Sequence, residues 1–193
     1  MQYLEFGIRC LIGTVFLAAA VGKAASGRSF AAFTSALGDL GLVPLRAVRP
    51  VAVAVVAGEA LVCLLLAAPW ARLPALGLTV AAVLLLAFAA AIACAVARGT
   101  RAVCRCFGGA SAGPLGARHI VRNVLLAGLA LAAAGAVPLP DTGSARPAGL
   151  LVAALGGLLV GGCVAALDTL AGLFRPMGPV GTTGSRRPVR PGR

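Results

Sequence analysis

Two cysteines one residue apart, Cys104 and Cys106, carry the clearest chemistry in this 193-residue chain. They stand in Val103-Cys104-Arg105-Cys106-Phe107-Gly108-Gly109. Cysteines at i and i+2 can close a small disulfide ring under strain, and strained, exposed disulfides are labile and oxidising rather than structural. Arg101 and Arg105 place positive charge beside the pair, which favours thiolate over thiol. The glycines that follow would admit a partner thiol. These features suit thiol–disulfide exchange, in which one cysteine attacks or is attacked and the other resolves the mixed disulfide. Two blander readings compete. Cys-x-Cys can supply two metal ligands with His119 as a third, but a fourth is missing and no metal is assigned. The pair could also be incidental reduced thiols.

Two further residues stand out because they are charged within apolar runs. Glu59 lies near the middle of one such run, where a carboxylate must face other helices and have a partner. Arg9 is the candidate nearest in depth. A purely structural, hydrogen-bonded glutamate competes with a role as a proton or quinone-headgroup contact. Arg9, Phe16 and Lys23 recur every seven residues and share one helix face. Fourteen residues rise about 21 Å, so Arg9 and Lys23 belong near opposite membrane surfaces. Each could simply snorkel to its own interface.

The elements that must hold these residues are membrane helices. The chain is 60% hydrophobic and 11% charged, with mean hydropathy +1.01. A soluble domain of this length needs far more polar surface. Apolar runs of about 20 residues, the length that spans a bilayer as a helix, recur along the chain. The alternation of a membrane barrel is missing. The sequence therefore predicts an all-α integral membrane protein, with spans over about 3–25, 51–68, 75–96, 119–137 and 148–173. The first is read as a retained helix rather than a signal peptide. Ser26 to Pro50 reads as a polar connection in which Phe30, Ala31, Phe33 and Leu37 form a short interfacial helix, punctuated by Gly38, Gly41, Pro44 and Pro50. Trp70 reads as an interfacial anchor. Gly157-x-x-x-Gly161 reads as a small-residue packing face. The chain from Arg175 reads as a disordered basic tail. Cys10, Cys63, Cys94 and Cys163 fall inside spans and read as small buried hydrophobes.

A net charge of +12 could suggest nucleic acid. The arginines instead sit beside hydrophobic spans, as membrane topology requires, and no nucleic-acid partner is assigned. All but one of the 17 basic residues are arginine, with Lys23 the exception. With the Ala/Gly/Val/Leu richness, this points to a high-GC bacterial genome and a bacterial plasma membrane. Five spans put the termini on opposite sides. By the positive-inside rule the arginine-rich side, which carries the Cys104/Cys106 connection, is cytoplasmic. Bacterial disulfide chemistry belongs to the outer face. The two arguments give opposite sidedness for the connection.

Together the residues resemble a known family. Arg9, Gly13-Thr14-Val15-Phe16 and Lys23 stand on the first helix, Glu59 on the second, then Cys104-Arg105-Cys106-Phe107-Gly108, and Arg122-Asn123 opens the fourth. This order resembles the methylamine-utilisation MauE branch of the DoxX-like membrane proteins over about residues 1–137. The resemblance implies a four-helix transmembrane bundle, similar in arrangement to vitamin-K-epoxide-reductase-like and DsbB-like redox proteins, with a fifth C-terminal transmembrane helix and a tail (138–174 and 175–193) outside it. It implies a role in maturing the disulfide-rich small subunit of methylamine dehydrogenase, with a thioredoxin-like partner. Redox roles carry over only to Cys104 and Cys106, with Arg101, Arg105, Glu59, Arg9 and Arg122 in support. Quinone is the candidate cofactor of such bundles, but no quinone motif is matched and no cofactor is assigned. The first connection has no cysteine pair, which favours a single-pair, partner-dependent system.

The first functional reading is therefore a membrane thiol–disulfide oxidoreductase. The competing reading is a non-catalytic membrane scaffold or small-solute carrier whose polar core is Glu59 with Arg9.

Overall fold

The computed structural model describes residues 2–70, 72–98, 103–104, 113–114, 117–136 and 146–173, with backbone only for 103–104, 113–114 and 167–173. Arg101, Arg105, Cys106 and the basic tail lie outside the described residues, as does the side chain of Cys104. The elements in order are α1 (Gln2–Ala24), α2 (Gly27–Asp39), α3 (Leu45–Ala67), α4 (Arg72–Ala97), β1 (Val103–Cys104), β2 (Gly113–Pro114), α5 (Ala117–Gly135) and α6 (Pro147–Leu173). Five of these helices are long and apolar enough to cross a membrane, namely α1, α3, α4, α5 and α6. The all-α integral membrane architecture expected from the sequence is what the chain forms.

The predicted boundaries shift most at α3. Pro50 does not end the polar connection; it lies inside α3, which begins at Leu45 behind an N-cap at Pro44. Proline removes one backbone donor, so the Arg46 carbonyl loses its helical partner. Arg46, Arg49 and Pro50 are all exposed, and this turn carries two arginines at the membrane surface. The turn is open to the surface, so the loss costs little and the helix continues. The short helix expected in the first connection is α2. Ser26 caps it, its side chain accepting from the Ser29 amide at 3.0 Å. Phe33 is buried, Phe30 and Leu37 are half-buried, and Ala31 faces outward. Gly41, with φ +63°, makes the turn that returns the chain to α3.

Large apolar side chains cover the outside of the bundle, among them Leu17, Leu64, Val83, Leu125 and Leu159. No water-soluble surface carries such a band, whereas lipid requires it. Inside, Ile12, Val62, Leu78, Ala81 and Ala130 are fully enclosed. α1 is the hub, with α3 and α6 against it, while α4 packs between α3 and α5. The α4–α3 contact is close because Gly77 has no side chain: a Cβ there would come within 2.9 Å of the Leu65 Cβ.

The Gly157/Gly161 face is real and belongs to a longer stripe. Gly149, Ala153, Gly157 and Gly161 recur every four residues and lie along α1. Gly149 sits against the Tyr3 ring, and Tyr3 Oη accepts from the Arg146 amide at 2.9 Å. A Cβ on Gly157 would fall on the Gly7 carbonyl oxygen, and one on Gly161 would meet the Leu11 carbonyl oxygen at 2.8 Å. Contacts advance along both helices together, so α6 runs parallel to α1 and crosses in the same direction.

The intramembrane cysteines divide. Cys10 and Cys63 are half-buried, while Cys94 and Cys163 are exposed on the outer surface rather than enclosed as the sequence suggested. At these two positions the small, apolar thiol faces lipid, which it tolerates as well as it does a protein core.

Candidate functional site

The end of the bundle where α1, α4 and α5 meet the cysteine-bearing connection is unusually polar inside. Lys23 Nζ donates to Glu59 Oε1 at 2.5 Å, and both side chains are 2% exposed. This corrects the pairing expected from the sequence: the partner of Glu59 is Lys23, not Arg9. Lys23 is in the last turn of α1, and its long stem bends back into the bundle. Phe33 of α2 and Phe88 of α4 flank the ammonium, with ring centroids 5.1 and 5.9 Å from Nζ. Aromatic faces stabilise a desolvated ammonium, so the enclosure compensates part of the burial. Glu59 Oε2 has no hydrogen-bond partner among the described residues.

α5 supplies the remaining polar groups. His119 and Asn123 are buried at 5% and 6% exposure, one turn apart on the inward face, and Arg122 is half-buried beside them. Arg118 Nε donates weakly to His119 Nε2 at 3.4 Å. His119, Arg122, Asn123, Lys23 and Glu59 line one cavity of about 40 Å³, walled by phenylalanines and aliphatic side chains. The sequence singled out Glu59 and Arg122 as site residues. It missed Lys23 as the counter-ion and Phe33 and Phe88 as its walls. One signal for Lys23 was available: it is the only lysine in a chain that otherwise uses arginine.

Arg9 belongs to the other end. Its Nη2 donates to the Ala68 carbonyl at 2.8 Å and its Nε to the Leu66 carbonyl. The last carbonyls of a helix have no partner within it, and Arg9 closes two at the end of α3 while placing positive charge at the negative pole of its dipole. Between Arg9 and Glu59 the bundle is sealed by Ile12, Val15, Phe16, Val62 and Leu66, all at most 4% exposed. The common Glu59/Arg9 polar core expected from the sequence does not exist. There are two polar sites, one near each membrane face.

The cysteine-bearing connection joins α4 to α5 at the Lys23–Glu59 end. Cys104 pairs with Gly113 and Val103 with Pro114 in an antiparallel ladder. The first turns of α5, immediately after it, are fixed by the burial of His119 and Asn123. Cys10, Cys63, Cys94 and Cys163 lie in the long helices and Cys104 lies in β1.

No curated protein and no solved structure matches the chain. Residues 1–137, which carry α1 to α5 and the cysteine-bearing connection, match the family model described as methylamine utilisation protein MauE. With five membrane-crossing helices and a match over most of its length, the chain is a multi-pass membrane protein of the MauE family.

Proposed function

We propose that this protein exchanges thiols and disulfides through Cys104 and Cys106 with a thioredoxin-like protein at the bacterial plasma membrane, supporting maturation of other proteins. In the family this work belongs to methylamine utilisation, with methylamine dehydrogenase as its object. The observation that carries the reading is the partition of the cysteines. Four sit within the bilayer-spanning helices, unpaired, while the remaining two, one residue apart, occupy the connection above a polar bundle end. Arg101 and Arg105 supply the positive charge that a thiolate needs. In the exchange, a thiolate of the pair attacks the partner disulfide and the mixed disulfide forms. The second cysteine then attacks it, leaving an intramolecular Cys104–Cys106 disulfide and a reduced dithiol on the partner. Two electrons and two protons pass to the partner, and the reverse order oxidises it. We infer that residues 1–137 form the family's bundle and that α6 is a brace added along α1.

Trapping tests this. Cys104→Ser and Cys106→Ser, each in the full chain in its native membrane, leave the mixed disulfide unresolved. One of the two is expected to accumulate a covalent adduct with a thioredoxin-fold protein that reductant releases. If neither variant traps such a partner and both support function like the parent, the exchange reading fails. The carrier reading predicts the reverse, with harmless cysteine changes and loss of function on Glu59→Ala. The separation of Arg9 from Glu59 by a sealed core weighs against that carrier.

Sidedness is tested in the same cells. The parallel run of α6 along α1 supports five crossings. Lys23, Arg28, Arg46, Arg49, Arg98 and Arg118 then lie toward the cysteine end, against Arg9, Arg72 and Arg146 at the other. The charge rule predicts that Cys104 and Cys106 are protected from a membrane-impermeant maleimide in intact cells and labelled after permeabilisation. Labelling of intact cells would place the pair on the outer face and make it a disulfide donor.

A further inference from the structure

The end of the bundle opposite the cysteines holds a groove that the thiol chemistry does not use. It runs between α1, α3 and α6, with a volume of about 580 Å³. Phe6, Arg9, Cys10, Gly13, Thr14 and Leu17 form its floor on α1, spaced three and four residues apart, so they are a single stripe. Cys63, Leu64 and Leu158 form the sides. The lining is apolar apart from the Arg9 guanidinium and the Thr14 hydroxyl, which is tied to the Cys10 carbonyl at 2.8 Å.

Arg9 has no carboxylate partner among the described residues, where the ion pair is Lys23–Glu59. Nε and Nη2 serve the α3 carbonyls, and Nη1 makes no hydrogen bond there. Its depth is fixed by those carbonyls: Ala68 stands two residues before Trp70, which is 68% exposed at the α3–α4 turn. Exposed tryptophan at a span end marks the headgroup level. From Arg9 the stripe descends eight residues to Leu17, about 12 Å at 1.5 Å per residue. The hydrocarbon core of a bilayer is about 30 Å thick, so the groove reaches from the headgroups nearly to the midplane. A cation at headgroup level above an apolar channel one leaflet deep is the shape of a single lipid.

We propose that this groove binds a glycerophospholipid of the leaflet opposite the cysteine-bearing connection, its phosphate on Arg9 and one acyl chain lying along the α1 stripe. The phosphate supplies the negative charge that Arg9 lacks, and a guanidinium offers it paired donors. The occupied groove would fix α6 and α3 on either side of α1. This stands independently of the thiol–disulfide reading.

The test is native mass spectrometry of the full chain in detergent, titrated with dioleoyl phosphatidylglycerol and, separately, with dioleoylglycerol, which has the same chains and no phosphate. The parent protein is expected to retain one phosphatidylglycerol, and to hold it several-fold more tightly than dioleoylglycerol. Arg9→Gln is expected to weaken phosphatidylglycerol roughly fivefold, the scale of one basic residue at a lipid surface. That variant also frees two α3 carbonyls and could loosen the bundle, so Gly13→Leu decides. A Cβ at Gly13 meets only the Leu66 Cδ1 at 3.9 Å, ordinary contact, so a side chain can start there, and a leucine occupies the channel while leaving the Arg9 guanidinium in the sequence. It should lower retention of both lipids. Equal binding of the two lipids by the parent, or unchanged retention in Gly13→Leu, would overturn the proposal.

Discussion

Glu59→Leu is expected to destabilise the bundle by about 3–5 kcal/mol, because it removes the carboxylate to which the buried Lys23 ammonium donates. The 2.5 Å contact between the two side chains joins the end of α1 to the middle of α3, and both are 2% exposed. Lys23→Met alone should cost a similar amount by stranding the carboxylate. The double variant Lys23→Met/Glu59→Leu removes both charges and leaves apolar side chains of similar size among Phe16, Phe33 and Phe88. It is expected to unfold within about 1 kcal/mol of the parent, or later, because a buried pair replaced by hydrophobes is often neutral or stabilising. Thermal and denaturant unfolding of the four proteins in one detergent measures the cycle. Additive single effects in the double variant would show that the two groups do not stabilise each other. A functional assay on the stable double variant then separates the structural use of the pair from a chemical one. If Cys104/Cys106 exchange persists in it, the pair is a tie between helices.

Gly157→Leu is the second large effect. A Cβ there would clash with the Gly7 carbonyl oxygen and lie 2.9 Å from the Cys10 Cβ. Ordinary overpacking costs about 1–3 kcal/mol because side chains can shift. Here the obstacle is the backbone of α1, so α6 itself must move away. Cys10 is half-buried beneath that contact, which makes its thiol the reporter. Reaction of Cys10 with a membrane-permeant maleimide should accelerate at least severalfold in Gly157→Leu. Gly156→Leu, one residue away where a Cβ meets nothing within 4 Å, should react like the parent. Similar acceleration in both variants would mean that α6 is not seated through Gly157. Since α6 lies beyond the family match, the Lys23–Glu59 end is expected to survive its displacement.

The spans were legible because each is a run of apolar residues long enough to cross a bilayer, and in lipid a helix is the one open-chain structure that satisfies its own backbone. The Gly157/Gly161 stripe was legible for a related reason: small residues four apart permit close approach, and only the identity of the facing helix was missing. Pro50 was misread because proline is a strong local breaker, but in an exposed turn near the start of a helix it removes only a single hydrogen bond. The pairing of Glu59 was misread because depth was judged from where each Cα sits. Lys23 starts near the membrane surface, and its four-carbon stem carries the ammonium well inward, while the Arg9 fork is held outward by the α3 carbonyls.

Sequence alone determined that the protein lives in the membrane, how many times its long helices cross, that Cys104 and Cys106 share one connection, and that Arg9 and Lys23 lie toward opposite faces. Each follows from hydrophobic length, chain order or helical rise, which are properties of one segment at a time. Tertiary structure decided which charges meet, that a sealed apolar layer separates Arg9 from Glu59, that His119 and Asn123 face the Lys23–Glu59 cavity, and that α6 lies parallel on α1. Those depend on the azimuth of each helix about its axis and on side-chain reach between helices. Periodicity narrows the azimuth to a face, and only packing against the neighbouring helices fixes what that face touches.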